Sequence, residues 1–386
     1  MNQRCLTTLW GLVLCLSLFN SCQPIAKKTP AEAVAAAPIG FIGTYSRKEG
    51  HVDGKGKGVY FLLDNDSTSL AAGELINPSF VALSHDNQNL YVVEEIGSAP
   101  DTTGYISAYA YANGKLTKIN RQSSHGLAPC YVLADPSKRF AFLANYVSGT
   151  IAMYPLEKNG GLAPASDVKK FTGKGAHPRQ DASHPHCTVL SKDGKFLYVP
   201  DLGLDRIHIF SIDYTNGKLQ PANPAFLATA PASGPRHFAF HPTLPFAYVI
   251  CELSNTIVAY SVAANSGQLT PIQTISTLPA DFKATNNTSD IHLTPDGSFL
   301  FGANRGHNSL VGFAVDAKTG MLNTLGYTAT QGLVPRNFAI SPDGKKVYAA
   351  NQNSDNIAVF SLDSKGGLKL EKDIKTPTPV CVQILD

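Results

Sequence analysis

Paired cysteines, blocks of one charge, a long membrane-spanning apolar run and a glycine loop leading into a helix are all missing from this sequence. Each absence removes a class of protein. The apolar run Leu6 to Phe19 is too short for a comfortable membrane span. Charged residues make up only 16% of the chain, and the net charge of +3 comes without a basic block, so nucleic-acid binding has no electrostatic footprint. Low charge beside 43% hydrophobic residues also argues against disorder. The seven cysteines form no CxxC pair, and no HExxH is present. Cys130, Cys187, Cys251 and Cys381 fall within or at the ends of predicted strands and read as small buried hydrophobes. His177, His184, His186, His237 and Glu252 could supply zinc ligands, but the arginines beside them in the pattern would repel a divalent cation. Gly54-Lys55-Gly56-Lys57-Gly58 precedes a strand, so it lacks the helix N-terminus that binds phosphate and reads as a mobile loop.

The N-terminus is a separate matter. Arg4, the apolar run and Phe19-Asn20-Ser21-Cys22 resemble a bacterial lipoprotein signal, in which Cys22 becomes the lipidated first residue. Residues 1–22 are therefore expected to form the signal, cut before Cys22, 23–38 an Ala-, Lys- and Pro-rich tether, and 39–386 to fold. The membrane is expected as a partner only through this anchor, placing the protein in the periplasm or at the outer membrane.

What is present is a repeat. The pattern around Pro185-His-Cys-Thr recurs from Pro78, Pro129, Pro235, Thr288, Pro335 and Pro379, at spacings of 51, 56, 50, 53, 47 and 44 residues. Four strand-like runs per unit and a period near 50 predict propeller blades. In the unit of the opening pattern, Cys187 to Leu190 and Phe196 to Val199 read as strands around Asp193-Gly194. A second hairpin closes on Asn113-Gly114, Asn159-Gly160 and their equivalents, each followed by a leucine such as Leu116 or Leu162. Gly40 to Ile76 supplies only three strands and Pro379 to Leu385 only one. An all-β, seven-bladed propeller of four-stranded blades results if the C-terminal strand completes the N-terminal blade.

Both glycine turns of each unit must lie on one face of such a disc, so the other face gathers two residue sets. After the start residue stand Ser79, Cys130, His186, Arg236, Ser289, Arg336 and Val380. At the end of the second strand stand Tyr45, Glu95, Tyr146, Leu202, Glu252, Arg305 and Gln352. These predict two rings around the mouth of the channel, with His184, His237, Asp201 and Asn145 beside them. One histidine or arginine at a strand end is ordinarily a structural group; a His, a Glu and three Arg at equivalent positions facing one mouth indicate a site.

Ala144-Asn-Tyr-Val-Ser-Gly, Arg179-Gln180, His184-Pro-His186, Pro200-Asp-Leu-Gly-Leu-Asp-Arg206, Gly234-Pro-Arg-His237, Glu252-Leu253, Asn304-Arg-Gly306 and Pro335-Arg336 carry a resemblance to the seven-bladed lactonase family. That family includes bacterial 6-phosphogluconolactonase and fungal carboxy-cis,cis-muconate cyclase. The resemblance spans Ile39 to Leu385 and implies that His186, Arg236, Glu252 and Arg305 are catalytic. Asp290 stands where many members have Glu. It implies lactone opening by base-activated water, with Glu252 or His186 as the base and Arg236 and Arg305 holding the oxyanion. Arg336 and Arg179 would grip an anionic group on the small-molecule lactone, and Tyr146, Gln180, His184, Asp201 and His237 would complete the substrate-binding set. No cofactor and no metal are required by this scheme. Two other classes stay open: a silent propeller that binds a sugar acid or a protein, and a lactonising enzyme. Mass spectrometry of the native protein checks the leader. A mature chain beginning at diacylated Cys22 is expected, and an intact Met1 would refute lipidation.

Overall fold

Glycine enters the left-handed turn position at no steric cost, which lets short β-branched and aromatic runs fold back as antiparallel ladders. The glycines of the expected hairpin turns, from Gly114 to Gly366, sit at φ between +62° and +82°. The structure, a computed structural model, describes residues 36–50, 52–263 and 266–385. The expected signal and Cys22 lie outside them, as does all of the tether except its last three residues.

Among the described residues there is no helix. Seven four-stranded sheets follow one another along the chain, and, except at the sheet that begins with Val189–Leu190, their first strands touch one another around a common axis. In six sheets the strands run in sequence order from the axis outwards. In the seventh, Pro379–Ile384 is the innermost strand and pairs with Pro38–Thr44, placing Gly40 opposite Ile384 and Gly43 opposite Cys381. Val382 N also donates to Asn337 Oδ1 of the neighbouring blade at 2.7 Å. The chain ends thus close the ring, as the split terminal unit predicts. Blades are numbered here from the one that holds both ends.

The repeated leucines are staples between blades. Leu116 packs with Phe41 and Val59, Leu162 with Tyr91 and Ile106, and Leu219 with Phe140 and Phe142, each reaching into the preceding blade. Tyrosines of the second strands answer them: Tyr91, Tyr198 and Tyr248 donate to Gly160, Gly267 and Gly320 carbonyls of the next blade at 3.0, 2.6 and 3.0 Å. Each aromatic ring is thereby buried with its hydroxyl satisfied.

One irregularity recurs where it matters. Pro235 pairs with Cys251 and His237 with Ile250, leaving Arg236 without a partner. Cys130, Arg336 and Val380 are skipped in the same way, and Ser289 with Asp290 in blade 6. This is a β-bulge, which turns the extra residue out of the ladder, and proline at the strand start has no N–H to lose. Five of the seven first-ring residues therefore sit in bulges, while Ser79 and His186 precede the first strands of their blades.

Two expectations need correction. Only Val189–Leu190 forms the first strand of blade 4, preceded by an isolated bridge of Pro185 with Asp201. Asp201 draws His184 N and Ser183 Oγ to its carboxylate, and the ladder is interrupted there. The Gly54–Gly58 segment is pinned rather than mobile. Gly54 N and Gly56 N bond to the Arg47 and Tyr45 carbonyls, and Lys55 Nζ lies 2.6 Å from Asp355 in blade 7. A Cβ on Gly56 would fall within 2.1 Å of Thr44 Oγ1, so the close approach requires glycine.

Deleting residues 379–386 removes the innermost strand of blade 1 and bares the edge of Pro38–Thr44. Size-exclusion chromatography with thermal melting is expected to show an aggregating protein without a cooperative transition. A monomer melting like the full chain would contradict ring closure as the stabilising device.

Candidate functional site

Bulged first strands and the ends of second strands deliver their side chains to one mouth, and Glu252 lies at its centre. Its side chain is 3% exposed and meets three guanidinium groups. Arg179 Nη1 lies 2.6 Å from Oε1, while Arg236 Nε and Arg305 Nη2 lie 2.9 and 2.8 Å from Oε2. Burial alone would push the Glu252 carboxyl up, but Arg305, Arg236 and Arg179 outweigh it and hold the group down at about 2. Burial lowers Arg305, to about 10, and lowers Arg236 as well, both against the pull of Glu252. A carboxylate held so low, with both oxygens engaged, is a weak acceptor for a proton from water.

Main-chain carbonyls fix two of the arginines. Arg236 Nη1 donates to Ser289 O, and Arg305 Nη2 donates to Thr288 O at 2.8 Å. Arg179 is different. It rises from the loop before blade 4, is 43% exposed, and bridges three other blades through Glu252, Asn287 Oδ1 at 3.0 Å and Tyr146 Oη at 3.4 Å. Opposite, Tyr45 Oη donates to Glu95 at 3.0 Å, and Arg336 lies 3.8 Å from that carboxylate and over the Tyr45 ring.

Below the arginines is a narrow well lined by His186, His237, Arg236, Arg336, Ser79 and Glu95, among others. It leaves about 10 Å³, room for roughly one water molecule. The His186 and His237 rings meet edge to face at 5.1 Å. Burial, Arg236, His237 and Arg336 keep His186 neutral, far below its ordinary value. The Cys130 thiol, 3.8 Å from His186 Nδ1, is pushed up by burial and is unsuited to act as a nucleophile. On the hairpin-turn face a cavity of about 280 Å³ between Tyr198, Phe240, Leu244 and Val262 has only Lys192 and Asp193 as charged groups among the described residues.

The sequence-derived set thus divides. Glu252, Arg236, Arg305 and Arg179 meet directly, Arg236 links them to His186, His237 and Arg336 in the well, and Tyr146 stacks on His184 at 4.4 Å at the rim. Three residues expected to contact substrate have their polar atoms engaged within the protein. Asp201 has no exposed surface, and its oxygens accept from Ser183, His184, Gly203, Leu204 and His208. Gln180 is spent on Leu202 O and His177 N, and His184 on Tyr146 O and Asp181. All three shape the loop that carries Arg179. Asn145, Asn304 and Asn351 hold the position of Asp201 in other blades and tie the Ser124, Thr277 and Thr330 carbonyls at 2.8, 2.8 and 2.7 Å. That repeated asparagine marks the position as a strut, a signal available in the sequence.

Two groupings are new. Glu95 and Tyr45 hold Arg336, and Asp290 holds His237, with His237 Nδ1 2.7 Å from Asp290 Oδ1. Among the described residues no cluster of three or more His, Cys, Asp or Glu has the geometry of a metal site.

A ring of arginines and histidines in the mouth of a seven-bladed propeller defines a class, and comparison with known proteins agrees with it. The family model "Lactonase, 7-bladed beta-propeller" matches residues 39–384. The chain belongs to this family and is a lactonase. It is 34% identical over 356 residues to the 6-phosphogluconolactonase of Bacillus subtilis, covering 90% of this chain and 98% of that one. The 6-phosphogluconolactonase of Formosa agariphila is 33% identical, over 78% of this chain and 85% of its own. Among solved structures, a periplasmic gluconolactonase of Pseudomonas aeruginosa superposes with a TM-score of 0.83 at 32% identity, over 91% of this chain and 99% of that one.

Proposed function

We propose that this lactonase hydrolyses a sugar-acid lactone bearing an acidic substituent, a carboxylate or a phosphate, and that it does so after export. The charge of the mouth carries the reading. Four guanidinium groups, of Arg179, Arg236, Arg305 and Arg336, face two carboxylates, Glu252 and Glu95, an excess of two positive charges in a partly desolvated space. One charge answers the oxyanion that forms as water adds to the lactone carbonyl, and the second answers the substituent. Arg305 Nε, buried, has no hydrogen-bond partner among the described residues and is a donor in hand for these oxygens. Glu252 in this reading keeps the guanidinium groups together.

The relatives support the substrate class, since the names of those above specify gluconolactone or its 6-phospho form. The resemblance of the sequence up to Cys22 to a lipoprotein signal, and the periplasmic relative, support a lactone met outside the cytoplasm.

The test is a panel of sugar lactones with and without an acidic substituent, followed by acid release from purified protein. Lactones carrying the extra acid are expected to show a kcat/KM at least about tenfold higher, and Arg305→Ala should erase most of that preference. Equal rates on neutral and acidic lactones, or no hydrolysis above background, would overturn the proposal.

A further inference from the structure

Resting on the reading above, we propose that the well beneath the arginines holds the attacking water, with His237 as its general base and Asp290 as the residue that positions that base.

The side-chain connections single out His237. Asp290 is buried, and Ile291 N donates to its Oδ1 at 3.0 Å. Asn337 Nδ2 and Phe338 N donate to its Oδ2 at 2.5 and 3.3 Å, and His292 Nε2 lies 2.9 Å from that oxygen. Burial would raise this carboxyl, but His292 and His237 outweigh it and hold the group far below the carboxylate range. An ionised Asp290 accepts only, so His237 carries its proton on Nδ1 and leaves the lone pair on Nε2. His237 Nε2 is buried and has no partner among the described residues, and the same holds for Ser79 Oγ. Both residues line the well, which has room for about one water. A water there has an acceptor in His237, a hydroxyl in Ser79 and guanidinium groups at Arg236 and Arg336.

The other candidates are worse placed. Both oxygens of Glu252 face arginines. His186 has no carboxylate behind it, its Nδ1 meeting only a thiol at 3.8 Å. The groups around His237 are Arg236 on its own strand, His186, Asp290 with His292 behind it, and the rings of Tyr131 and Phe80.

The step balances without a cofactor. The water oxygen bonds to the lactone carbonyl carbon as its proton passes to His237 Nε2, and the carbonyl electron pair moves onto an oxygen held by arginine. Collapse of the tetrahedral intermediate breaks the bond to the ring oxygen, which takes the proton back from His237 as a hydroxyl. The carboxylic acid then loses its own proton to solvent.

The experiment joins a pH profile to nitrogen NMR of the full-length protein. Burial and Arg236 lower His237, Asp290 pulls it back, and it settles at about 4. The neutral base is present above that pH and lost below it, so kcat/KM should fall in acid with a limb near pH 4, whereas a Glu252 base would place the limb near 2. His237→Gln should lower kcat by about 10²- to 10⁴-fold with KM little changed. Asp290→Asn should lower kcat and move the limb to lower pH, and Asp290→Glu should restore both. NMR of the resting wild type should show Nδ1 protonated and Nε2 bare at neutral pH. Wild-type kcat in His237→Gln, or a proton on Nε2, overturns the base role alone. Failure of the acidic-substituent preference overturns the substrate proposal and leaves His237 untouched.

Discussion

Three guanidinium groups held within 3 Å of one buried carboxylate set the terms for everything around them. Gathered without Glu252, the arginines would repel one another in a space that water screens poorly, and Glu252 buried without them would be protonated. Together they form a unit whose carboxylate is spent on holding the arginines, leaving spare N–H groups for an incoming anion. Burial depresses the histidines below it, and Arg236, which faces both His186 and His237, depresses them further. Burial and positive charge at the mouth thus keep the imidazoles neutral, the form a base must have.

The fold supplies the rigidity this arrangement needs. Arg236 shares a blade with Glu252, but Arg305 arrives from the next blade and Arg179 from the loop before blade 4, so a blade that slipped would separate the partners of Glu252. Leucine staples and tyrosine bonds lock each blade to the next, and the C-terminal strand closes the circle. Bulges then convert a regular ladder into a ring of side chains turned toward the axis. Arg179 alone comes from a long loop, and Asp201, Gln180 and His184 are the internal struts of that loop.

The sequence makes the architecture legible because a blade is a local unit, and its turns, leucines and strand ends recur in register. The mouth follows from the same register, which is why Glu252, Arg236 and Arg305 stand out together. Partnership is harder to read. Asp201 and Asp290 are both acids that stand next to a ring position in the repeat, before Leu202 and after Ser289. One ends a second strand and is consumed by its own loop, while the other sits in a bulge and meets His237 of the neighbouring blade. Only the pairing register separates them. The Gly54–Gly58 loop misleads for a similar reason, since its anchor, Asp355, lies 300 residues away.

Glu252 on this account organises cations and does not accept the water proton, and a crystal structure with a bound sugar acid, the product of lactone opening, tests that claim most directly. The account predicts a carboxylate oxygen of the ligand about 3 Å from the guanidinium of Arg236 or Arg305, with Glu252 still paired to both. A ligand bound on the hairpin-turn face, or one whose arrival frees Glu252 from its arginines and places it against the reacting carbon, would contradict it.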